Sequence, residues 1–371
     1  MKTKVSIKNC NTYELENLKK SIEESIKDIG GISKFIKNTD SVLLKPNLLM
    51  AKKPEDSVTT HPAIIEALIL ILREHNITNI AVGDSPAIEG TEKVLKSSGI
   101  YEVCKKYNVK TIEFIQEKTL ENNENKIMKR MALSKEALSY NKIINLPKMK
   151  THSFTIFTGA VKNMFGLVPG KKKLVFHMKH RDPLEFCDML LDLINTAKPC
   201  LNIMDGVSGM EGNGPSGGEP RKFNKIITGE EAIAVDNIAC DFLGLKKVPI
   251  ITTAKKRNLL GSNLEHIEIY GSYTKLKDVK YPKLGLIASA RGLFAVLRKH
   301  TAKYPYVKDG KCVSCSKCFE ICPADAIKMT KVEDKLIPVF DYKKCIRCYC
   351  CHEVCPVKAI DLKKPILGMV R

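Results

Sequence analysis

The sequence predicts an α/β domain over residues 1–304, built on a mainly parallel sheet flanked by helices. A small α+β domain organised around clustered thiols is expected to follow over residues 305–371. Three observations carry this. Strand and helix patterns alternate along the first domain. The length of 371 residues suits two or three domains, and 44% hydrophobic residues supply a sizeable core. Nine of the 14 cysteines fall after residue 311.

"SVLLKPN" is a buried strand ending in a polar turn, and "HPAIIEALILILREHN" is a helix started at Pro62. "ITNIAVGDSP" gives the next strand, and "TEKVLKSSG" the next helix, closed by Gly99. "NKIINLPK" and "CLNIMDG" are strand-like. "DPLEFCDMLLDLINTA" is an amphipathic helix behind Asp182, and "EEAIAVDNIACDFLG" is a helix ending at Gly244. Such alternation predicts parallel strands covered by helices on both faces.

Composition excludes several classes. A disulfide-rich secreted scaffold would be short, with cysteines along its length. The opening "MKTKVSIKNC" lacks the apolar stretch of a signal peptide, and no window offers an uninterrupted membrane span. The expectation is a cytoplasmic protein in a reducing compartment. The formal charge of +20 could attract nucleic acid, acidic proteins or anionic small molecules. Only 6% of residues are aromatic and Trp is absent, which disfavours nucleic acid. One dense basic run stands out, "KKKLVFHMKHR" from Lys171 to Arg181.

"CVSCSKCFEICP" and "CIRCYCCHEVCP" each read C-x2-C-x2-C-x3-C-P. In this spacing three thiolates converge from one tight loop, and the fourth ligates the neighbouring cluster. The expected ligand sets are Cys312, Cys315, Cys318 and Cys355 for one [4Fe–4S] cluster, and Cys345, Cys348, Cys351 and Cys322 for the other. Structural zinc usually takes two separated cysteine pairs and fits less well. Cys350 breaks no spacing and is expected to pack near a cluster. A helical turn is expected after each proline, at "ADAI" and "VKAI", and a strand and turn at "KLIPVFDYKK". This segment resembles a bacterial two-[4Fe–4S] ferredoxin. It carries 13 basic against 8 acidic residues from Pro305 onward. A basic domain of this kind suits an acidic redox partner such as a ferredoxin or a reductase.

In open α/β sheets, ligands sit beyond the carboxyl ends of the strands. Those ends carry Lys45 and Asn47, Asp84 and Ser85, Lys148 and Lys150, and Asp205; the loops beyond carry His61, His152, Lys162, Asn163 and Asp236. The motifs "KPN", "THP", "GDSP", "KMKTHSFTIFTGAVKNMFGLVPG" and "MDGVSGMEGNGPSGGEP" occur in order between about Val42 and Leu243. Together they resemble the family known as domain of unknown function 362. That resemblance implies an appended ferredoxin domain and an anaerobic or archaeal source, but no reaction.

The chemistry must come from the residues. Asp84 could cap "SPAIEG", and His61 could be a cap-region group before Pro62. The glycine-rich stretch from Gly209 to Pro220 lacks the order of a P-loop or a dinucleotide fingerprint, so neither ATP nor NAD is expected. Through Gly212 and Gly214 it could cradle an anion or close as a lid. Lys45, Asn47, His61, Ser85, Lys148, Lys162 and Asn163 are candidate anion ligands. Lys150, His152, Asp84 and Asp205 are candidate proton carriers. The same His and Asp residues form a weaker candidate metal site, and flavin is left open. The expected function is an iron–sulfur oxidoreductase or redox adaptor acting on an anionic substrate. The alternatives are a non-catalytic carrier whose large domain docks partners, and a cluster-regulated ligand or nucleic-acid binder.

Overall fold

The computed structural model describes residues 2–282 and 303–363. Ten strands among them form one sheet of mixed, mainly parallel pairing. The strands used below are β1 (Thr3–Asn9), β2 (Val42–Pro46), β3 (Ile80–Asp84), β4 (Lys110–Glu113), β5 (Lys142–Leu146), β6 (Lys148–His152), β7 (Ile156–Thr158), β8 (Leu201–Glu211), β9 (Glu219–Gly229) and β10 (Ile267–Tyr270). Their order is β10-β1-β9-β8-β5-β2-β3-β4, with β6 beside β8 and β7 beside β6. The run from β8 through β5, β2 and β3 to β4 is parallel; β9 is antiparallel to both neighbours.

Every residue of β2, "VLLKP", is buried. Alternate side chains point to opposite faces, so Val42 and Leu44 enter one core and Leu43 the other. The first core includes helices α1 (Leu15–Asp28) and α2 (Pro62–Glu74), the second α3 (Pro183–Ala197) and α4 (Ala232–Phe242). This is the sandwich of helices around a sheet that the alternation predicts. Pro147 interrupts the line between β5 and β6, yet both pair with β8. Pro147 cannot donate to the ladder, but its carbonyl accepts from Asp205 N at 2.8 Å.

The second domain pairs β11 (Tyr304–Val307) with β14 (Ile360–Lys363), and β12 (Ile327–Val332) with β13 (Lys335–Phe340). The helix end that the sequence also predicts at "KHTAKYPY", before Pro305, lies outside the described residues. Short helices fall inside the cysteine runs, at α5 (Lys317–Glu320) and α6 (Cys350–Glu353). The helical turns expected after the prolines are not there. Asp325 and Lys358 take left-handed φ of 47° and 54° instead, and such residues end a helix rather than build one.

Candidate functional site

Each cysteine run wraps a cavity. One is lined by Cys312, Cys315, Cys318 and Cys355, the other by Cys345, Cys348, Cys351 and Cys322. The fourth cysteine therefore sits in the neighbour's cavity. Residues with positive φ repeat at equivalent places: Ser314 and Arg347, Ser316 and Tyr349, Asp325 and Lys358. Left-handed residues at alternate positions turn backbone N–H groups inward, which suits anionic sulfur. Ala326 N donates to Cys322 Sγ at 3.2 Å and Ala359 N to Cys355 Sγ at 3.1 Å. No three His, Cys, Asp or Glu side chains among the described residues converge on a single-ion position. Thiols spaced around two cavities fit cuboidal clusters better than zinc, and His61, His152, Asp84 and Asp205 do not gather around a metal.

The lysines of the sheet divide into two groups. Lys45 Nζ lies 2.8 Å from Asp84 Oδ1, both buried, and Leu48 N donates to Asp84 Oδ2 at 2.8 Å. Asp84 is therefore a buried counter-ion, not a helix cap. Gly166 packs directly on this pair; an added Cβ would meet Asp84 Oδ1 at 1.9 Å. Lys148 Nζ donates to Asp205 Oδ2 at 2.7 Å and to the Tyr13 hydroxyl at 2.9 Å. Asp205 also accepts from Tyr13 at 2.7 Å and from His61 N at 3.0 Å. His61 stacks on Tyr13 and accepts from Ala63 N as the cap of α2. Lys150 donates to Asn47 Oδ1 at 2.6 Å and to Val58 O at 2.7 Å. Burial lowers the proton affinity of Lys45, Lys148 and Lys150; Asp84 and Asp205 counter it for the first two, while Lys162 and Lys148 add to it for Lys150. These three lysines are engaged inside the fold.

Lys162 differs. The short helix α7 spans Ala160–Asn163. Asp236 on α4 accepts from Ala160 N and, at 3.0 Å, from Val161 N, which fixes that helix and its lysine. The Lys162 ammonium has no hydrogen bond or ion pair among the described residues. It faces a cleft of about 120 Å³, several times the roughly 10–15 Å³ one water needs. The cleft lies between the two domains. Asn47, Asp84, Ser85 and Asn163 line it from the α/β side, Cys350, Glu353 and Lys317 from the ferredoxin side. Cys350 thus forms part of the cleft wall directly beside Cys351.

The dense basic run also becomes legible here. It folds as helix α8 (Lys173–Lys179), which places Lys173 and His177 one turn apart against the cleft. Lys173 Nζ donates to Ser85 O at 2.6 Å. Burial brings its ammonium down to about 7, with Asp84 opposing and Lys45 and Lys162 reinforcing the shift. His177 stacks on Phe186 at 4.6 Å, and its Nδ1 has no partner among the described residues. Asn163 Oδ1 is likewise buried without a donor.

His152 lies behind Glu353. Its Nδ1 accepts from Phe154 N at 3.0 Å and Thr155 N at 3.3 Å, so the neutral ring carries its proton on Nε2. That nitrogen faces Glu353 Oε1 across 3.4 Å. Burial, then Lys162, keeps the ring well below the usual histidine range.

The glycine loop does not close over the cleft. It seats the ferredoxin domain. Ser216 Oγ donates to Glu353 O, and Lys358 Nζ donates to Gly218 O at 2.8 Å. Thr151 and Ser153 hold Gly212 O and Gly214 O at 2.8 and 3.0 Å. A Cβ on Gly214 would fall 2.0 Å from Thr151 O, so glycine is needed there for close packing. Lys317 pairs with Glu89 at 2.8 Å, and Lys52 donates to Pro356 O at 3.3 Å, completing the seam. Sequence reasoning missed Lys173, His177, Glu89 and Glu353. The basic run was the only local signal for the first two.

A chain that couples a helix-flanked sheet to a thiol-lined domain across a cleft is an iron–sulfur protein: a 4Fe-4S dicluster domain profile matches residues 311–359. It belongs to the domain of unknown function family DUF362, whose profile matches residues 42–241. It is 33% identical over 256 residues to the thylakoid-associated protein sll1697 of Synechocystis, a match covering 69% of this chain and 79% of that one. It also resembles the lactate racemase apoprotein of Thermoanaerobacterium thermosaccharolyticum at TM-score 0.45 and 11% identity, covering 65% of this chain and 57% of that one. No helix among the described residues is long and apolar enough to cross a membrane.

Proposed function

We propose that this protein is a redox enzyme whose α/β domain holds a small anionic substrate in the inter-domain cleft, against the second cysteine run. The observation that carries this is the cleft wall itself: Lys162 and Lys173 on one side, Cys350 and Glu353 on the other. When bound, two clusters would supply one-electron transfer. The Cys345, Cys348, Cys351 and Cys322 set would hold the cluster nearer the cleft, and the Cys312, Cys315, Cys318 and Cys355 set the farther one. Lys162 binds the anion. Lys173, near neutral proton affinity and fixed by Ser85 O, can hold or release a proton at Nζ. On the far side Cys315 is exposed, which suits electron exchange with a partner, and the net positive charge of the ferredoxin segment favours an acidic one.

Ala87 lines the cleft and is only half-buried, so Ala87→Phe narrows it without touching a charge. Protein with chemically reduced clusters is mixed with a panel of unsaturated and aromatic organic anions, and reoxidation is followed by visible absorbance. At least one compound is expected to reoxidise the parent and fail with the variant, while ferricyanide reoxidises both. If every oxidant acts equally on both proteins, the clusters communicate only with the exterior and the carrier reading holds.

A further inference from the structure

The cleft's lining distinguishes among anions, and this step rests on the reading of the cleft as a substrate site. Lys45 is neutralised by Asp84, and Lys317 by Glu89. Lys162 and Lys173 have no ion-pair partner among the described residues. Glu353 shares the wall, but it lies beyond ion-pair distance of both. Burial lowers the proton affinity of both amines, with Glu353 opposing for Lys162 and Asp84 for Lys173, so the positive end of the cleft lacks a direct counter-ion among the described residues.

Most of the remaining wall is apolar, with Leu48, Met50, Ile88, Phe165, Ile321 and Val354 among its residues. A phosphate group needs several convergent N–H donors, usually from a glycine-rich loop or a long helix N-terminus. Neither is present. The glycine loop is spent on the domain seam, Gly170 N is given to Ser85 Oγ at 2.7 Å, and Asp236 takes the first N–H groups of α7. Two ammonium groups above an apolar chamber match a carboxylate, whose two oxygens need few donors, attached to an apolar body that fills the rest. Asn163 Oδ1 and His177 Nδ1, buried without partners, leave room for one further polar substituent.

We infer that the cleft binds a small carboxylate with an apolar or aromatic body, its carboxylate held by Lys162 and Lys173, and not a phosphorylated metabolite. The probes are benzoate, benzamide and inorganic phosphate, titrated by calorimetry into the oxidised, cluster-loaded protein under anaerobic conditions. Benzoate is expected to bind. Lys162→Met should weaken it about tenfold or more, the loss of a charge-assisted contact, and Lys162→Arg should restore part of it. Ala87→Phe should also abolish it, with both ammonium groups in place. Benzamide and phosphate should neither bind nor compete. Phosphate binding that depends on Lys162, absence of benzoate binding, or benzoate binding insensitive to both Lys162→Met and Ala87→Phe overturns the inference. Because the oxidised protein transfers no electrons here, failure of benzoate to bind is separate from failure of the redox reading. A protein that binds benzoate and is never reoxidised through the cleft would keep the carboxylate site and lose the redox reading.

Discussion

Cys322→Ser is expected to remove the same cluster as Cys345→Ser and to leave the one lost in Cys312→Ser. Cys322 belongs in sequence to the first run, yet its thiol lines the cavity ringed by Cys345, Cys348 and Cys351. Cys355 makes the reciprocal crossing. The reconstituted parent should contain about eight iron and eight sulfide per chain, and each single variant about four. Paramagnetic resonance of the reduced protein should show two interacting signals in the parent and one in each variant. The surviving signal should be the same for Cys322→Ser and Cys345→Ser. If Cys322→Ser instead leaves the signal that Cys312→Ser leaves, the thiols do not cross. Zinc bound without sulfide would refute the clusters altogether.

Lys45→Met should lower the thermal midpoint by the equivalent of about 3–5 kcal/mol, the usual cost of leaving one member of a buried ion pair alone. Asp84 would keep a single strong donor, Leu48 N, in a site sealed by Gly166. Its carboxylate would then lose its direct ion-pair partner in a buried site. The double variant Lys45→Met, Asp84→Leu should recover most of the loss, because an apolar pair of similar volume has no charge left to desolvate. Lys162→Met should change stability less, since its ammonium makes no direct hydrogen bond or ion pair among the described residues. Equal destabilisation by the Lys45 and Lys162 changes would erase the distinction between fold lysines and cleft lysine.

That distinction marks the limit of what was legible in the chain. The grouping of the cysteines around two cavities and the sheet were readable because their signals are local: fixed spacings in one case, apolar runs ending at proline and glycine in the other. The cleft was only half readable. Lys45, Lys148 and Lys150 present the same polar strand-end pattern as an anion site, but Asp84, Asp205 and Asn47 consume them through contacts between strands and loops far apart in sequence. Asp205 and His61, candidates by residue type, form a separate network with Tyr13. Lys162 and Asn163 were found, but Lys173 and His177 reach the cleft through the folding of the α/β domain, and Glu353 only through the docking of the second domain. The glycine stretch carried the right composition for a lid. Its role as a seat for the ferredoxin domain follows from Ser216 and Gly218 contacting residues near the other end of the chain.

The most direct measurement of the coupling between cleft and clusters is a redox titration of the parent and of Lys162→Met, with each resonance signal assigned from the cysteine variants. A positive charge favours the reduced, more negative state of a nearby cluster, and its influence falls with distance. Removing Lys162 should therefore lower the potential of the cluster held by Cys345, Cys348, Cys351 and Cys322, and leave that of the Cys312, Cys315, Cys318 and Cys355 cluster nearly unchanged. Equal shifts in both clusters, or no shift in either, would contradict a cleft that addresses the second cluster.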